Sequence, residues 1–532
     1  MARSLWARAW YAWRDHGPWL LAFRLLNAWN LRTSFNPDEY WQGPEVSHAW
    51  RYGDGHLTWE WEKCVALRGV LHPGIFALLL TLLPDWPLLV AYAPRLLQGA
   101  LASFADLAVY RSAERLGGKA LARWALCVQL ASWFQLYAVT RTFSSSLESV
   151  LAALVIDHLT RRALTGALVL GSLQVAIRPT AAGFWLAWAA WEVGVRVQCG
   201  DLHGAFWKLL VPGLQISGVV LSISTFLDSL FYQRFTLVPW NFVQFNLMAD
   251  GGALYGSHPW HWYLEGLAVT LGTFLPFCCV GVGLGVKHFP SQLFAVGISI
   301  CLLSLASHKE YRFLLPFFPI FSLLTGQGLQ KTIGQLQEER TAKLTCLTIV
   351  FLPQIIAALF FCLVHQRGAE AVMAHLRQHP AGDDGVFFLT ACHATPFYSF
   401  VHGQGPLGYL DCSPGQGSPQ KRFFEQPMPV LREIFPEALH NATERAPPKG
   451  AALKHCLEYR YRKSWQLPEV FVLWGSLLAH EPRMGQWLEI NRYQLEVELQ
   501  DGVWSEGPYD VELWPSFSIW RKQPSFLASE FK

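Results

Sequence analysis

Between residues 17 and 366 the chain returns repeatedly to apolar runs of the length a helix needs to cross a bilayer, roughly 20 residues. They fall near 17–34, 87–110, 120–138, 145–160, 164–178, 181–197, 207–231, 265–286, 289–306, 312–330 and 344–366. A helix satisfies its own backbone polar groups in hydrocarbon, so such runs restrict the fold to a mainly α, polytopic membrane helical bundle. The chain is 52% hydrophobic and 15% charged, whereas soluble domains average about 45–50% and about 25%. The net charge of +3 carries no dense basic block, which argues against a nucleic-acid partner.

Charge orients the bundle, because loops rich in Lys and Arg stay in the cytosol. Arg3, Arg8 and Arg14 precede the first run, so 1–16 reads as a cytoplasmic tail before an uncleaved anchor. Arg111, Arg115, Lys119 and Arg123, then Arg161 and Arg162, then Arg196 and Lys208, then Lys331, Arg340 and Lys343 mark further cytosolic segments. Arg24, Asn27, Asn30 and Arg32 make the first span polar, so one of its faces is expected to point into the protein. Segment 67–83 is also apolar, but counting it would invert every later loop. With Pro73 and Pro84 in it or beside it, it reads as a helix lying in or dipping into the luminal leaflet.

Eleven crossings place the remainder of the chain in the lumen. The domain reading is therefore a tail over 1–16, a polytopic membrane domain over 17–366 with a luminal loop at 35–86, and a luminal domain over 367–532. In the last, short apolar runs at 386–389 and 470–473 alternate with turn-rich stretches, as in a small α/β domain. Asn441-Ala442-Thr443 is the sole glycosylation sequon and falls here. Among the 11 Cys there is no C-x-x-C pair, so no zinc pattern is present. Cys392 and Cys412 lie in the polar region and would form a disulfide if that region is luminal.

This topology gathers unusual residues on one side of the bilayer. Asp38 and Glu39, followed by Glu45, sit just after the first span, where dehydrating carboxylates is costly. A carboxylate at the membrane surface can serve as general base. His308, Lys309 and Arg312 are expected at the same depth, where they would hold a phosphate and stabilise charge as it departs. Together they suit glycosyl transfer from a polyprenyl-phosphate sugar, and no nucleotide-binding glycine loop is present. Blander roles stay open: Asp38 and Glu39 would also suit a helix cap, and His308-Lys309-Glu310 an ion-paired helix end. Arg178-Pro179 reads as a helix-terminating corner and is left out of the site.

Two segments, Phe35-Asn36-Pro37-Asp38-Glu39-Tyr40-Trp41-Gln42 and His308-Lys309-Glu310-Tyr311-Arg312-Phe313, resemble signatures of the endoplasmic-reticulum α-mannosyltransferases that use dolichyl-phosphate-mannose. These are GT-C type enzymes. Thr58–Trp61, Thr140–Ser144, Tyr255–Tyr263 and Cys392–Tyr398 are similar to the branch acting on glycosylphosphatidylinositol (GPI) precursors. The resemblance implies an inverting transfer of the third, α1,2-linked mannose to that glycolipid, in the lumen of the endoplasmic reticulum and in contact with its membrane lipids. It implies Asp38 as base and Glu39 as its orienting or acceptor-binding neighbour. Glu45, Arg68, Arg141, His308, Lys309 and Arg312 would bind substrate, with neither cofactor nor metal. A sibling enzyme acting on dolichol-linked oligosaccharide or another GPI mannose, and a non-catalytic lipid transporter, remain alternatives.

Overall fold

The computed structural model describes residues 2–285, 288–335, 340–413, 418–436, 465–506, 511–513 and 515–524. Asn441 lies outside the described residues. Two compact units make up the chain. One comprises Met1–Leu31, Ala66–Ile75 and Pro94–Cys362; the other comprises Arg32–Val65, Phe76–Ala93 and Leu363–Lys532. The sequence reading kept 35–86 with the membrane segment, but residues 32–65 and 76–93 instead belong by their contacts to the C-terminal unit.

Each of the eleven apolar runs is helical over most of its length. Among the described residues, five helical stretches are long and apolar enough to cross a membrane: Pro87–Ala131, Leu202–Tyr232, Trp262–Gly285, Tyr311–Thr332 and Thr341–Gln378. Leu164–Ile177 and Pro290–Leu305 are apolar but shorter. Segment 67–83 contributes the helix Leu71–Leu82, whose 12 residues reach about 18 Å at about 1.5 Å per residue, against about 30 Å of hydrocarbon. Pro87–Ala131 breaks at Gly117 and Gly118, and Gly118 adopts φ 73°, a backbone conformation that a side chain disfavours.

Charges inside the helical unit are matched. Arg24 in the helix Ala2–Asn30 is fully buried and donates through Nε and Nη2 to Asp106 at 2.6 and 2.7 Å. Gln129 donates to the same carboxylate at 3.1 Å, and Asn27 donates to the Leu136 carbonyl at 3.0 Å. Arg24 and Asn27 of the first span thus turn inward to partners on neighbouring helices, whereas Asn30, which bonds to the Leu26 carbonyl of its own helix, and Arg32 are exposed. Asp157 similarly draws in Arg115 at 2.7 Å, Arg161 at 3.3 Å and Arg111 at 3.4 Å.

The second unit is built on a sheet. Strands β1 (Val386–Leu389), β2 (Leu407–Tyr409), β3 (Val470–Trp474), β4 (Tyr493–Gln500) and β7 (Ser516–Lys522) order as β2-β1-β3-β7-β4. The first three are mutually parallel, while β7 and β4 pair antiparallel. Strands β5 (Trp504–Glu506) and β6 (Val511–Leu513) form a separate pair. Alternation sorts β1 and β3 onto two faces: Val386, Phe388, Val470 and Val472 on one, Phe387, Leu389, Phe471 and Leu473 on the other. Both faces are covered, which is why these strands read as unbroken apolar runs. The first face packs on Val372, Met373 and Leu376 of the helix Gly368–Gln378, and on Tyr40 and Trp41.

Candidate active site

The acidic segment is a short helix, Asp38–Trp41, started by its own sequence. Asn36 Oδ1 accepts from the Asp38 amide at 3.0 Å, the local turn that asparagine favours. Pro37 supplies a fixed φ at the helix entry. The two adjacent carboxylates then part company. Glu39 is 0% exposed, with Oε2 3.4 Å from the Phe35 amide, while Asp38 is half-buried.

Contacts distant in sequence seat this helix within its unit. Tyr40 donates its hydroxyl to Glu370 at 2.7 Å, and Trp41 Nε1 donates to the Thr395 carbonyl at 3.0 Å. The Trp41 ring lies 4.1 Å from that of His393 and 4.9 Å from that of Phe397. Burying two such rings stabilises the seat by about 1.5–3 kcal/mol each.

Glu45 sits in the next helix, Pro44–Tyr52, and turns inward, 0% exposed. Its Oε1 accepts from the amides of Phe397 and Ser399 at 2.7 and 3.2 Å and from the Ser399 hydroxyl at 2.5 Å. Burial pushes its carboxyl up to about 7, against the lowering effect of those hydrogen bonds. The Glu45 carboxylate therefore organises the 397–399 turn, and its buried place differs from the substrate contact expected of it. Beside it, His48 Nε2 meets His402 Nδ1 at 2.8 Å, and burial pushes His48 down to about 4. Cys392 and Cys412 are disulfide-bonded, tying the strand that follows this turn to the loop ahead of it; Cys64 is disulfide-bonded as well.

The cationic segment belongs to the helical unit. Arg312 clasps Glu310 with two donors, Nε to Oε2 and Nη2 to Oε1, both at 2.5 Å. His308 Nε2 reaches Glu310 Oε1 at 3.0 Å. Burial pushes the Glu310 carboxyl up, yet the Arg312 and His308 charges and hydrogen bonds outweigh it and hold it well below the usual carboxylate range. Arg312 is 4% exposed, with its guanidinium 4.9 Å from the Phe143 ring and 5.5 Å from that of Phe313.

Lys309 points elsewhere. Its Nζ donates to the carbonyls of His258 and Ala306 at 2.9 and 2.5 Å, so it braces loop 255–263 against this segment. The His258 amide returns a bond to Ser307 at 3.0 Å, and the Trp262 and Tyr311 rings lie 4.6 Å apart. Arg141 is fully buried, donating to the Tyr137 carbonyl at 2.6 Å and packing on its ring. Arg68 is half-buried and accepts from Tyr232 through its carbonyl at 2.8 Å.

Arg68 also shares an electrostatic neighbourhood with Arg312, Glu310, Glu148 and Arg178. Arg178 is thus drawn into a cluster from which its sequence context excluded it. The signal was the carboxylate at Glu148, 30 positions earlier, which the sequence does not mark as a partner.

Two groups of metal-capable side chains converge among the described residues. Cys392, His393 and Cys412 form one, but both sulfurs are spent in the disulfide. His375, His379 and Glu496 form the other, where Arg521 already engages the Glu496 carboxylate at 2.8 Å.

Comparison with known proteins gives the geometry a context. The model of the Alg9-like mannosyltransferase family matches residues 19–402. The human protein named GPI alpha-1,2-mannosyltransferase 3 is 35% identical over 412 residues, 74% of this chain and 71% of that one. Mannosyltransferase APTG1 of Arabidopsis thaliana is 33% identical over 455 residues, 78% and 81% of the two chains. Among solved structures, ArnT from Cupriavidus metallidurans bound to undecaprenyl phosphate aligns with a TM-score of 0.60 at 11% identity, covering 98% of this chain and 100% of that one. The Archaeoglobus fulgidus oligosaccharyltransferase aligns with a TM-score of 0.52 at 12% identity, covering 89% and 71%. At such identities the likeness is one of fold.

Proposed function

The chain belongs to the Alg9-like mannosyltransferase family, and we propose that it adds the third, α1,2-linked mannose to the GPI precursor, using dolichyl-phosphate-mannose in the lumen of the endoplasmic reticulum. The observation that carries this reading is the match to relatives named GPI alpha-1,2-mannosyltransferase 3 over about three quarters of the chain, 74% for the human protein. Both charged segments fall within residues 19–402, the stretch that the family model matches.

A β-linked donor giving an α product requires one displacement with inversion. The acceptor hydroxyl attacks the anomeric carbon, its proton passes to a carboxylate, and the carbon–phosphate oxygen bond breaks with the electron pair leaving on dolichyl phosphate. Asp38 is the base in this reading, supported by its half-exposed position beside a fully buried Glu39. Glu39 orients the helix from within. His308 and Arg312, with Arg68, hold the donor phosphate and stabilise its growing charge. Lys309 and Arg141 act at one remove, through the loops they fasten.

Loss of this protein in cells, followed by analysis of lipid-linked glycans, tests the reading. Accumulation of a GPI intermediate with two mannoses is the expected result. A truncated dolichol-linked oligosaccharide in its place would assign the chain to a sibling reaction.

A further inference from the structure

One buried ion pair of the helical unit has no part in the steps above. Arg178 follows the helix Leu164–Ile177 in an extended conformation, φ −139° and ψ 106°, because the residue before a proline is kept out of the helical region. That helix and Ser144–Thr160 are joined by the short link 161–163 and run antiparallel. The end of the second therefore returns to the start of the first. Arg178 Nε lies 2.8 Å from Glu148 Oε2, and its Nη1 donates to Ser144 Oγ at 3.1 Å.

Dehydrating such a pair costs several kcal/mol per ion, and apolar side chains of similar volume would join two helices at least as well. Stability alone does not account for it. The position of the guanidinium does. It lies 5.2 Å from the Phe313 ring, the same ring that Arg312 approaches at 5.5 Å. Glu310 holds Arg312 through two hydrogen bonds, and the rings of Phe143 and Phe313 lie 4.9 and 5.5 Å from its guanidinium carbon. Arg178 in turn braces Phe313. Arg68 and Arg312 share this neighbourhood of Arg178 with Glu148 and Glu310.

We propose that Arg178 is a positioning residue for the donor phosphate. Clamped by Glu148, it sets Phe313 and through that ring the Arg312 guanidinium. The assignment rests on the reading that the cationic segment holds the phosphate of a polyprenyl-phosphate donor.

The test uses the purified full-length protein with dolichyl-phosphate-mannose, measuring KM for donor and acceptor separately along with Tm. Arg178→Lys keeps a charge opposite Glu148 but has no planar face to lay on Phe313. It should raise donor KM about tenfold, a loss of about 1.4 kcal/mol in binding, with acceptor KM and Tm unchanged. The neutral double variant Glu148→Met/Arg178→Met should fold with at least the original Tm and show the larger rise in donor KM. Phe313→Leu combined with Arg178→Lys should be no worse than the more severe single variant, since both act through one ring. Unchanged donor KM in Arg178→Lys and in the double variant overturns the assignment, as does an equal rise for donor and acceptor accompanied by a lower Tm. Wild-type activity with a nucleotide-linked mannose alone would overturn the functional reading along with it.

Discussion

The acidic segment around Asp38 and the cationic segment around Arg312 solve the same problem, holding charge in place, by opposite means. Arg312 takes its hydrogen-bonding partner from its own segment, Glu310 two residues before it, with the rings of Phe313 and, more distant in sequence, Phe143 beside it. The helix Asp38–Trp41 starts locally, on Asn36, but is seated by residues more than 300 positions away, Glu370, Thr395 and Phe397. Glu45 extends that seat by gathering the 397–399 turn. The cationic site is an ion-paired clamp within its own segment, whereas the acidic site is seated by distant parts of the sheet unit to which it belongs.

Cutting the clamp should cost most. Arg312→Ala leaves Glu310 buried without its bidentate partner, and removing one member of such a pair costs about 3–5 kcal/mol, read as a large fall in Tm. Replacing both partners, Glu310→Gln with Arg312→Met, should restore Tm but not donor use. Cutting the tether costs less. Glu45→Ala strips three donors of their acceptor, a loss of roughly 1–3 kcal/mol, seen as faster hydrogen exchange at the amides of Phe397 and Ser399.

The tether also carries a pH signature close to neutrality, whereas that of the clamp, with Glu310 held well below the usual carboxylate range, falls in acid. Because Glu45 titrates at about 7 in the folded protein against 4.5 ordinarily, the fold binds the extra proton between those values. Stability from this group is fully present below pH 4.5 and falls as pH rises to about 7. Glu45→Gln should flatten that slope in a Tm-against-pH series; an unchanged slope would remove Glu45 as its source. The smallest effect belongs to Tyr40→Phe, which loses one hydrogen bond to Glu370, worth about 1 kcal/mol. It should lower kcat modestly and leave donor KM alone.

The same contrast explains what the sequence made legible. Helical runs are written in consecutive residues, and so is the His308-Lys309-Glu310-Tyr311-Arg312 cluster, whose ion pairing is nearly all internal. The burial of Arg24 was readable as a polar face on an apolar helix, though its partner Asp106 was not. Glu45 looked like a ligand because its inward partners lie some 350 positions on, 352 for Phe397. Lys309 looked like a phosphate contact because carbonyl acceptors leave no mark in a side-chain pattern. Arg178 looked like a plain helix end, since the antiparallel return that brings it to Glu148 is a property of packing. The luminal loop read at 35–86 shares most of its residues, 35–65 and 76–86, with the sheet unit, and nothing in their composition announces the core that Tyr40 and Trp41 join.

The assignment of Asp38 as the base is the centre of this account, and reconstituted transfer tests it most directly. Purified wild-type protein, given dolichyl-phosphate-mannose and a two-mannose GPI acceptor, should add one α1,2-linked mannose. Asp38→Asn preserves the size of the side chain and leaves the Asn36 contact to the backbone amide intact. It should retain the wild-type Tm while losing activity by roughly 10²–10⁴-fold, the usual contribution of a general base. Transfer by Asp38→Asn at the wild-type rate would contradict the account.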